Sequence, residues 1–276
     1  MHQYSRKLAA LLMIAALAPL SACAGLGGSR SGSSADTQYV ASDVNTLYNA
    51  AKLKLDQRQY MTAAAIFDEV ERQHPYSIWA RRAQLMSAFS YYLAGDHTKS
   101  IDSARRFLAI HPGNKDAPYA TYLIALNYYE QIEDVNRDQS ITKQALDSLG
   151  EVVRRYPDTR YASDARLKVD LVRDHLAGKE MEIGRFYQRR HEWLASVVRF
   201  RNVIDEYQTT THTPEALMRL TESYLALGVP DQAQRSAAVL GANYPGSYWY
   251  RRAYELMQRH APAAVQAAAA APQGTR

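Results

Sequence analysis

The sequence predicts an all-α fold: a curved solenoid of five degenerate helical hairpins, with a long joining helix before the fourth unit and a C-terminal capping helix. Three observations predict it. Apolar residues recur three or four apart through the body, and no stretch sustains the period-two alternation of a strand. A proline-centred stop recurs as Pro75-Tyr76-Ser77-Ile78-Trp79-Ala80, Pro157-Asp158-Thr159-Arg160-Tyr161-Ala162 and Pro245-Gly246-Ser247-Tyr248-Trp249-Tyr250. Landmarks repeat at 37 residues, from Pro75 to Pro112, Tyr91 to Tyr128 and Tyr187 to Tyr224.

The chain opens with Arg6 and Lys7, an apolar run from Leu8 to Leu20, and then Ser21 and Ala22. A basic head, a short apolar stretch and small residues are the parts of a secretory signal, expected over residues 1–22. The run is too short for a membrane-spanning helix and is broken by Pro19. The single cysteine, Cys23, follows directly, and Leu20-Ser21-Ala22-Cys23 has the form of a bacterial lipobox. Its thiol is expected to carry a diacylglycerol and its new N-terminus an acyl chain. The alternative is an ordinary signal with a chance cysteine, which would leave an unpaired thiol in an oxidising compartment. Residues 23–42, rich in Gly and Ser at first, read as the lipidated N-terminus and a flexible leash.

The body begins near Asp43. Leu47, Ala50, Ala51 and Leu55 form one apolar stripe, and Ala63, Ile66, Phe67 and Val70 the next. Each proline ends a helix, the Ser or Thr two residues later caps the following one, and an aromatic ring falls on its first turn. A looser copy is Pro112-Gly113-Asn114, and every such proline follows His or Tyr (His74, His111, Tyr156, Tyr244). The spacing is near the tetratricopeptide period of about 34 residues. Ala63, Phe67 and Val70, and later Tyr224, Ala233 and Leu240, fall on that repeat's positions. Gln208 stands where the fourth unit should have proline. Repeats 1–3 are placed at 43–160, and the joining helix, repeats 4–5 and the capping helix at 161–260. Ile132 to Gln139 is a polar insertion expected as an exposed loop. A helical segment from about Tyr161 to Ala177 can run on through Gly178. The alanine-rich tail, 261–276, reads as disordered.

The formal charge is +5, nearer +3 without Arg6 and Lys7. That argues neither for nucleic acid as a partner nor for a membrane held by charge alone. No catalytic or metal-binding constellation appears. His191-Glu192 opens like a zinc-protease helix motif, but Ala195 stands where its second His belongs. No cofactor is expected beyond the lipid at Cys23. Among the 20 tyrosines, Tyr91, Tyr128, Tyr187 and Tyr224 read as filling between helices. Tyr92, Tyr122 and Tyr129 are aimed elsewhere and suit contact with an extended peptide on the groove.

The lipobox, the leash and the degenerate repeats together resemble the BamD family, lipoproteins of the outer-membrane β-barrel assembly machinery. The resemblance runs from about Val44 to Met257. It is densest in Arg155-Tyr156-Pro157, Tyr161-Ala162-Ser163-Asp164-Ala165, Ala177-Gly178-Lys179-Glu180 and Arg189-Arg190-His191-Glu192-Trp193. The insertion with Arg137-Asp138 also matches. The resemblance implies a noncatalytic scaffold, lipid-anchored at the periplasmic face of the outer membrane. Its N-terminal repeats would receive unfolded outer-membrane proteins, with His74, Tyr92, Tyr122 and Tyr129 as groove contacts. His74 departs from the Tyr of many relatives. The C-terminal repeats would dock onto the POTRA region of the barrel-forming subunit, BamA, with Trp193 and Arg199 as contacts. Other assembly lipoproteins are implied partners. Two rival readings are a pilotin-type lipoprotein for secretin or pilus assembly and a periplasmic cell-wall hydrolase, the latter lacking its catalytic residues.

Overall fold

The computed structural model describes residues 43–263 and 266. The signal segment, the lipobox with Cys23, the leash and most of the tail lie outside the described residues. Among the described residues there are eleven helices and no strand. They pair along the chain as α1 (Val44–Asp56) with α2 (Tyr60–Gln73), α3 (Ile78–Leu93) with α4 (His97–Ile110), α5 (Ala117–Glu130) with α6 (Ser140–Arg155), α7 (Arg160–Arg189) with α8 (Trp193–Glu206), and α9 (Thr213–Ala226) with α10 (Pro230–Asn243). The last helix, α11 (Tyr248–His260), packs chiefly on α9. The first helices of successive hairpins also touch, α1 on α3, α3 on α5 and α5 on α7. This is the tetratricopeptide-like stack the periodicity predicts.

Two turns repeat. Within four of the hairpins the chain reverses through one residue of positive φ: Arg58 (60°), Gly95 (76°), His191 (59°) and Gly228 (72°). The amide after it closes on the helix behind, as Gln59 N to Lys54 O (2.9 Å) and Asp96 N, Glu192 N and Val229 N to Tyr91, Tyr187 and Tyr224 O (3.0 Å each). This is the six-residue closure of a helix C-terminus, which glycine adopts most easily. His191 therefore sits in a turn and not on a helix face.

Between hairpins the C-cap residue is held near φ −130°: His74 (−133°), His111 (−129°), Tyr156 (−134°), Tyr207 (−129°) and Tyr244 (−136°). A following proline disfavours helical backbone there. The amide three residues on then donates to the C-cap carbonyl: Ser77, Asn114, Thr159, Thr210 and Ser247, at 3.0–3.1 Å. Ser77, Thr159 and Ser247 cap the next helix, accepting from Ala80 N (2.9 Å), Ala162 N (3.2 Å) and Tyr250 N (3.1 Å). Tyr207 adopts the same conformation although Gln208 replaces proline. There Thr210 Oγ1 donates to Tyr207 O at 2.8 Å, and Thr213 Oγ1 to Gln208 O at 3.0 Å.

The segment from Tyr161 and the first helix of the next hairpin are one continuous helix of 30 residues. Its early part buries Ala165, Val172 and Leu176 against Leu149 and Val152 of α6 and Ala125 of α5. Its later part buries Ala177 and Met181 against Val197, Phe200 and Val203 of α8. Gly178 marks the changeover. A Cβ there would lie 3.3 Å from His212 Nε2 and 3.6 Å from Val135. The α5–α6 insertion and the α8–α9 connection thus seat on the same point of α7. Asp174 fastens the second of them, accepting from Thr211 N (2.9 Å) and Oγ1 (2.7 Å). Most of the insertion is exposed, as its polarity predicts, but Gln139 is buried and donates to the carbonyls of Asp134 (3.3 Å) and Arg137 (3.0 Å).

Of the two predicted stripes, the second is well placed, with Ala63, Phe67 and Val70 buried and Ile66 packed against them. In the first, Ala51 is buried but Ala50 is exposed, one step off the buried face. Phe67, Phe107 and Phe200 are wholly buried. Phe200 lies so close to Gly184 that an added Cβ would stand 2.5 Å from its ring. Gly184→Ala should therefore lower stability by about 1–3 kcal/mol, and Phe200→Ala by about 3–5 kcal/mol. His191→Gly should raise it by about 0.5–1 kcal/mol by relieving the left-handed backbone. Thermal unfolding followed by circular dichroism checks all three signs.

Candidate functional site

The first helices of the hairpins share one face, and α3, α5 and the start of α7 line it with aromatic rings. Phe89 and Tyr92 stack at 6.5 Å on α3. Tyr119 and Tyr122 of α5 meet Tyr161 of α7 at 5.6 and 5.3 Å. Lys168 Nζ lies over the Tyr129 ring at 5.4 Å. The spacing places them there: Tyr92 and Tyr129 follow the buried Tyr91 and Tyr128 by one residue, which turns them about 100° off the packed face. All five tyrosines are half-buried.

The phenols are held by carboxylates. Tyr92 OH donates to Glu130, and Tyr122 OH to Asp164. Lys168 Nζ also donates to Asp164, at 2.8 Å. Burial, then the bond to the carboxylate, raises the Tyr92 and Tyr122 phenols well above the ordinary range. Burial, then the neighbouring Tyr161, pushes Tyr119 up to about 12. These phenols stay protonated at any physiological pH. The bonds to Lys168 and then Tyr122 hold Asp164 below the usual carboxylate range.

Tyr91 and Tyr128 are core residues, as their spacing suggests. Tyr91 OH donates to Asp68 on α2 (2.7 Å), and Tyr128 OH accepts from Arg105 on α4 (2.9 Å). Each ties a hairpin to the one before it. His74 is the half-buried C-cap of α2 and stands apart from the tyrosine strip.

The same face changes character beyond the middle of α7. Arg185 bridges Glu182 (2.6 Å) and Glu215 (3.1 Å). Arg219 bridges Glu215 (3.3 Å) and Glu222 (3.1 Å), and Gln188 donates to Glu222 (3.1 Å). This ladder joins α7 and α9 and satisfies itself.

Trp193 and Arg199 both lie on α8 but not together. Trp193 begins the helix and packs edge-on against His191 at 5.3 Å. Arg199, six residues on, points to α7, where Nη1 meets Glu180 Oε2 at 3.3 Å; Asn202 donates to the same oxygen at 3.2 Å. The open side of α8 starts apolar, with Leu194 and Val198 exposed one turn apart, and continues with the exposed Arg201–Asp205 pair. Phe89, Tyr119, Tyr161 and Lys168 are the members of the strip that the sequence reading did not include. Tyr119 and Tyr161 carried a signal there as the aromatic rings on the first turns of their helices.

Among the described residues no group of His, Cys, Asp and Glu could hold a metal ion, and no helix is long and apolar enough to cross a membrane. The fold and this face define a class: a stack of helical hairpins that offers an aromatic strip on one half and an internally paired one on the other. The outer membrane lipoprotein family YfiO matches residues 40–240. A BamD outer membrane protein assembly factor of Caulobacter vibrioides is 51% identical, across 79% of this chain and 72% of that one. Its counterpart in Rickettsia prowazekii is 46% identical, across 85% and 93%. One from Neisseria meningitidis serogroup A is 30% identical, across 77% and 83%. A thermophilic TPR protein of Thermus thermophilus superposes with a TM-score of 0.36 at 18% identity, across 81% of this chain and 100% of that one. The chain belongs to the BamD family of outer membrane lipoproteins and is not an enzyme.

Asp164 yields a test of the strip. A depressed carboxylate contributes stability that is present above its unfolded pKa, about 4, and lost as pH falls through its lower folded value. Near-ultraviolet circular dichroism of the tyrosines should therefore hold steady down to about pH 4 and change below it. Asp164→Asn should remove that low-pH step.

Proposed function

We propose that this protein is a noncatalytic scaffold for outer-membrane protein assembly, anchored by lipid at Cys23 on the periplasmic face. Cys23 carries an S-diacylglycerol and an N-acyl chain, and no other cofactor takes part. One acyl chain binds a membrane only marginally, whereas two or more hold durably at about 0.8 kcal/mol per buried CH₂. The anchored stack keeps an unfolded client at high local concentration beside the POTRA-containing, barrel-forming subunit. The relatives named above are outer membrane protein assembly factors, which supports the assembly role.

The observation that carries the client reading is the tyrosine strip on α3, α5 and α7. Half-buried rings, two of them with their hydroxyls already engaged by carboxylates, offer rigid apolar area with few polar atoms left to satisfy. An unfolded client can rest on such rings without a fixed sequence, and the phenol–carboxylate bonds hold them ready. Tyr92, Tyr122 and Tyr129 serve as contacts, joined by Tyr119 and Tyr161. His74, on the α2–α3 turn, would meet only a client that extends beyond the strip.

Partner docking is assigned to α8. Leu194 and Val198 supply apolar area, Trp193 an aromatic anchor at one end, and Arg199 a cation at the inner side. Glu180 already holds Arg199, so a partner carboxylate must share or replace it.

Tyr92→Ser with Tyr129→Ser should weaken capture of a urea-diluted outer-membrane barrel protein by about tenfold, the scale of losing buried aromatic contacts. Light scattering of the client reads it, and unchanged suppression of aggregation would sink the client assignment. For docking, Arg199→Gln should reduce co-purification of the POTRA-containing subunit, while Glu180→Gln, which releases Arg199, should preserve or strengthen it. Loss of docking in both variants would assign the pair to holding α7 against α8. Cys23→Ser should move the protein from the membrane fraction to the wash.

A further inference from the structure

Through the first three hairpins, the turns between hairpins fall on one edge and the turns within hairpins on the other; beyond them the long α7 breaks the pattern. The between-hairpin edge is unusual at its N-terminal end. Tyr76 is fully exposed on the α2–α3 turn, Ile78 beside it is 61% exposed, and Ile110 at the α4–α5 turn is 59% exposed. Between these two turns opens a cavity of about 660 Å³ lined by Ile78, Arg81, Arg82, Leu85, Asn114 and Lys115 among others. Arg81 and Lys115 meet no carboxylate at ion-pair distance among the described residues, and Arg82 lies over the Trp79 ring at 5.4 Å. Asp116 is the one acidic group in the lining. Arg160 continues the cationic character at the α6–α7 turn, with Asp158 beside it. The within-hairpin edge of these three hairpins instead carries Asp96, Glu133, Asp134 and Asp138 against Arg58 and Arg137.

Free cations beside protruding aromatic and branched side chains are the pattern of a surface that rests on a charged membrane. The cations meet phosphates, while Tyr and Ile reach the headgroup boundary. The direction of α1 adds a second reason. It is the first helix of its hairpin, so its start at Val44 lies on this same edge. The described chain therefore begins beside these turns. We infer that the α2–α3 and α4–α5 turns form a seat for anionic lipid headgroups, with Arg81, Arg82 and Lys115 taking phosphate and Tyr76 and Ile78 touching the interface. The inference rests on the outer-membrane placement proposed above and adds an orientation to it: the between-hairpin edge faces the membrane, and the tyrosine strip stands to the side. A peptide lying in the cavity would account for the cations but not for Tyr76, which is not in the lining.

The test uses the full chain with Cys23→Ser, which cannot take a lipid, so its outcome does not depend on whether Cys23 is the anchor. Co-sedimentation is measured with vesicles of phosphatidylethanolamine and phosphatidylglycerol (3:1) and with neutral phosphatidylcholine vesicles. An interfacial Lys or Arg contributes a few-fold in partitioning, so Arg81→Glu with Lys115→Glu should weaken binding to the anionic vesicles by about tenfold or more. Binding to neutral vesicles should not change. Tyr76→Ser with Ile78→Ser should weaken anionic binding several-fold. Arg189→Glu with Arg235→Glu makes the same charge change at exposed positions on α7 and α10, outside these two turns, and should leave binding within about twofold. Circular dichroism melts establish that each variant is folded, and client capture by the tyrosine strip should stay intact in all of them. Equal losses for the two charge pairs would overturn the inference. So would equal binding to both vesicle types, or a peptide carboxylate that binds Arg81 and Lys115 while Tyr76→Ser leaves vesicle binding unchanged.

Discussion

Every hairpin of this protein is aimed by one local constraint, the turn that joins it to the next. A C-cap residue is held near φ −130°, usually by a following proline, and its carbonyl accepts from the amide three residues on. That bond fixes the angle at which the next helix leaves, and at three of the five turns a Ser or Thr hydroxyl then caps it. The rest of the structure depends on this repetition. A hairpin alone cannot bury its apolar face, and burial becomes continuous only if each successor arrives at the same angle. Tyr91 with Asp68 and Tyr128 with Arg105 then tie each hairpin to its predecessor, so that errors in angle do not accumulate.

Long helix α7 is where the repetition is relaxed. One helix serves the packing of α5 and α6 at its start and of α8 at its end. A helix that changes partners needs a place where both sets of neighbours can come close, and Gly178, with no Cβ, supplies it. The insertion of the third hairpin and the loop before α9 both come to that point, through Val135 and His212. The two halves of the shared face divide here as well. Before it the face is aromatic with its polar tips engaged, and after it Arg185, Arg219 and three glutamates neutralise one another. An internally paired surface has little reason to bind, since any ligand must first break the ladder. The open rings carry no such cost.

Much of this is legible in the sequence. The proline stops locate the between-hairpin turns and their caps, because proline and Ser or Thr act on the backbone within three residues. The buried role of Tyr91 and Tyr128 follows from period alone. Gln208 hides the fourth stop, since there the turn is kept by hydrogen bonds from Thr210 and Thr213 that no local motif announces. The strip is half legible. Tyr92, Tyr122 and Tyr129 follow from helical phase, but Tyr161 reaches Tyr119 and Tyr122 only because α7 lies against α5. Asp164 and Lys168 join for the same reason. Arg199 shows the limit of a residue-by-residue transfer: its position is found from the Trp193 helix, but its bond to Glu180 depends on how α8 sits on α7.

Those bonds bear on how a scaffold can hold a client and still let it go. Tyr92 and Tyr122 have spent their hydroxyls on Glu130 and Asp164, so a client gains from them only contact area and ring faces. Contact of that kind is tolerant of sequence and is lost gradually as strands are drawn away, whereas specific hydrogen bonds to a client would each have to be broken. Arg199 presents the opposite case. Its charge is half-buried and already paired, so a partner carboxylate that displaces Glu180 meets a preset cation with a defined direction. On the roles proposed above, one face would grip loosely and without sequence preference, while one helix would serve a single geometry. That division suits a body that must keep its partner while its cargo passes.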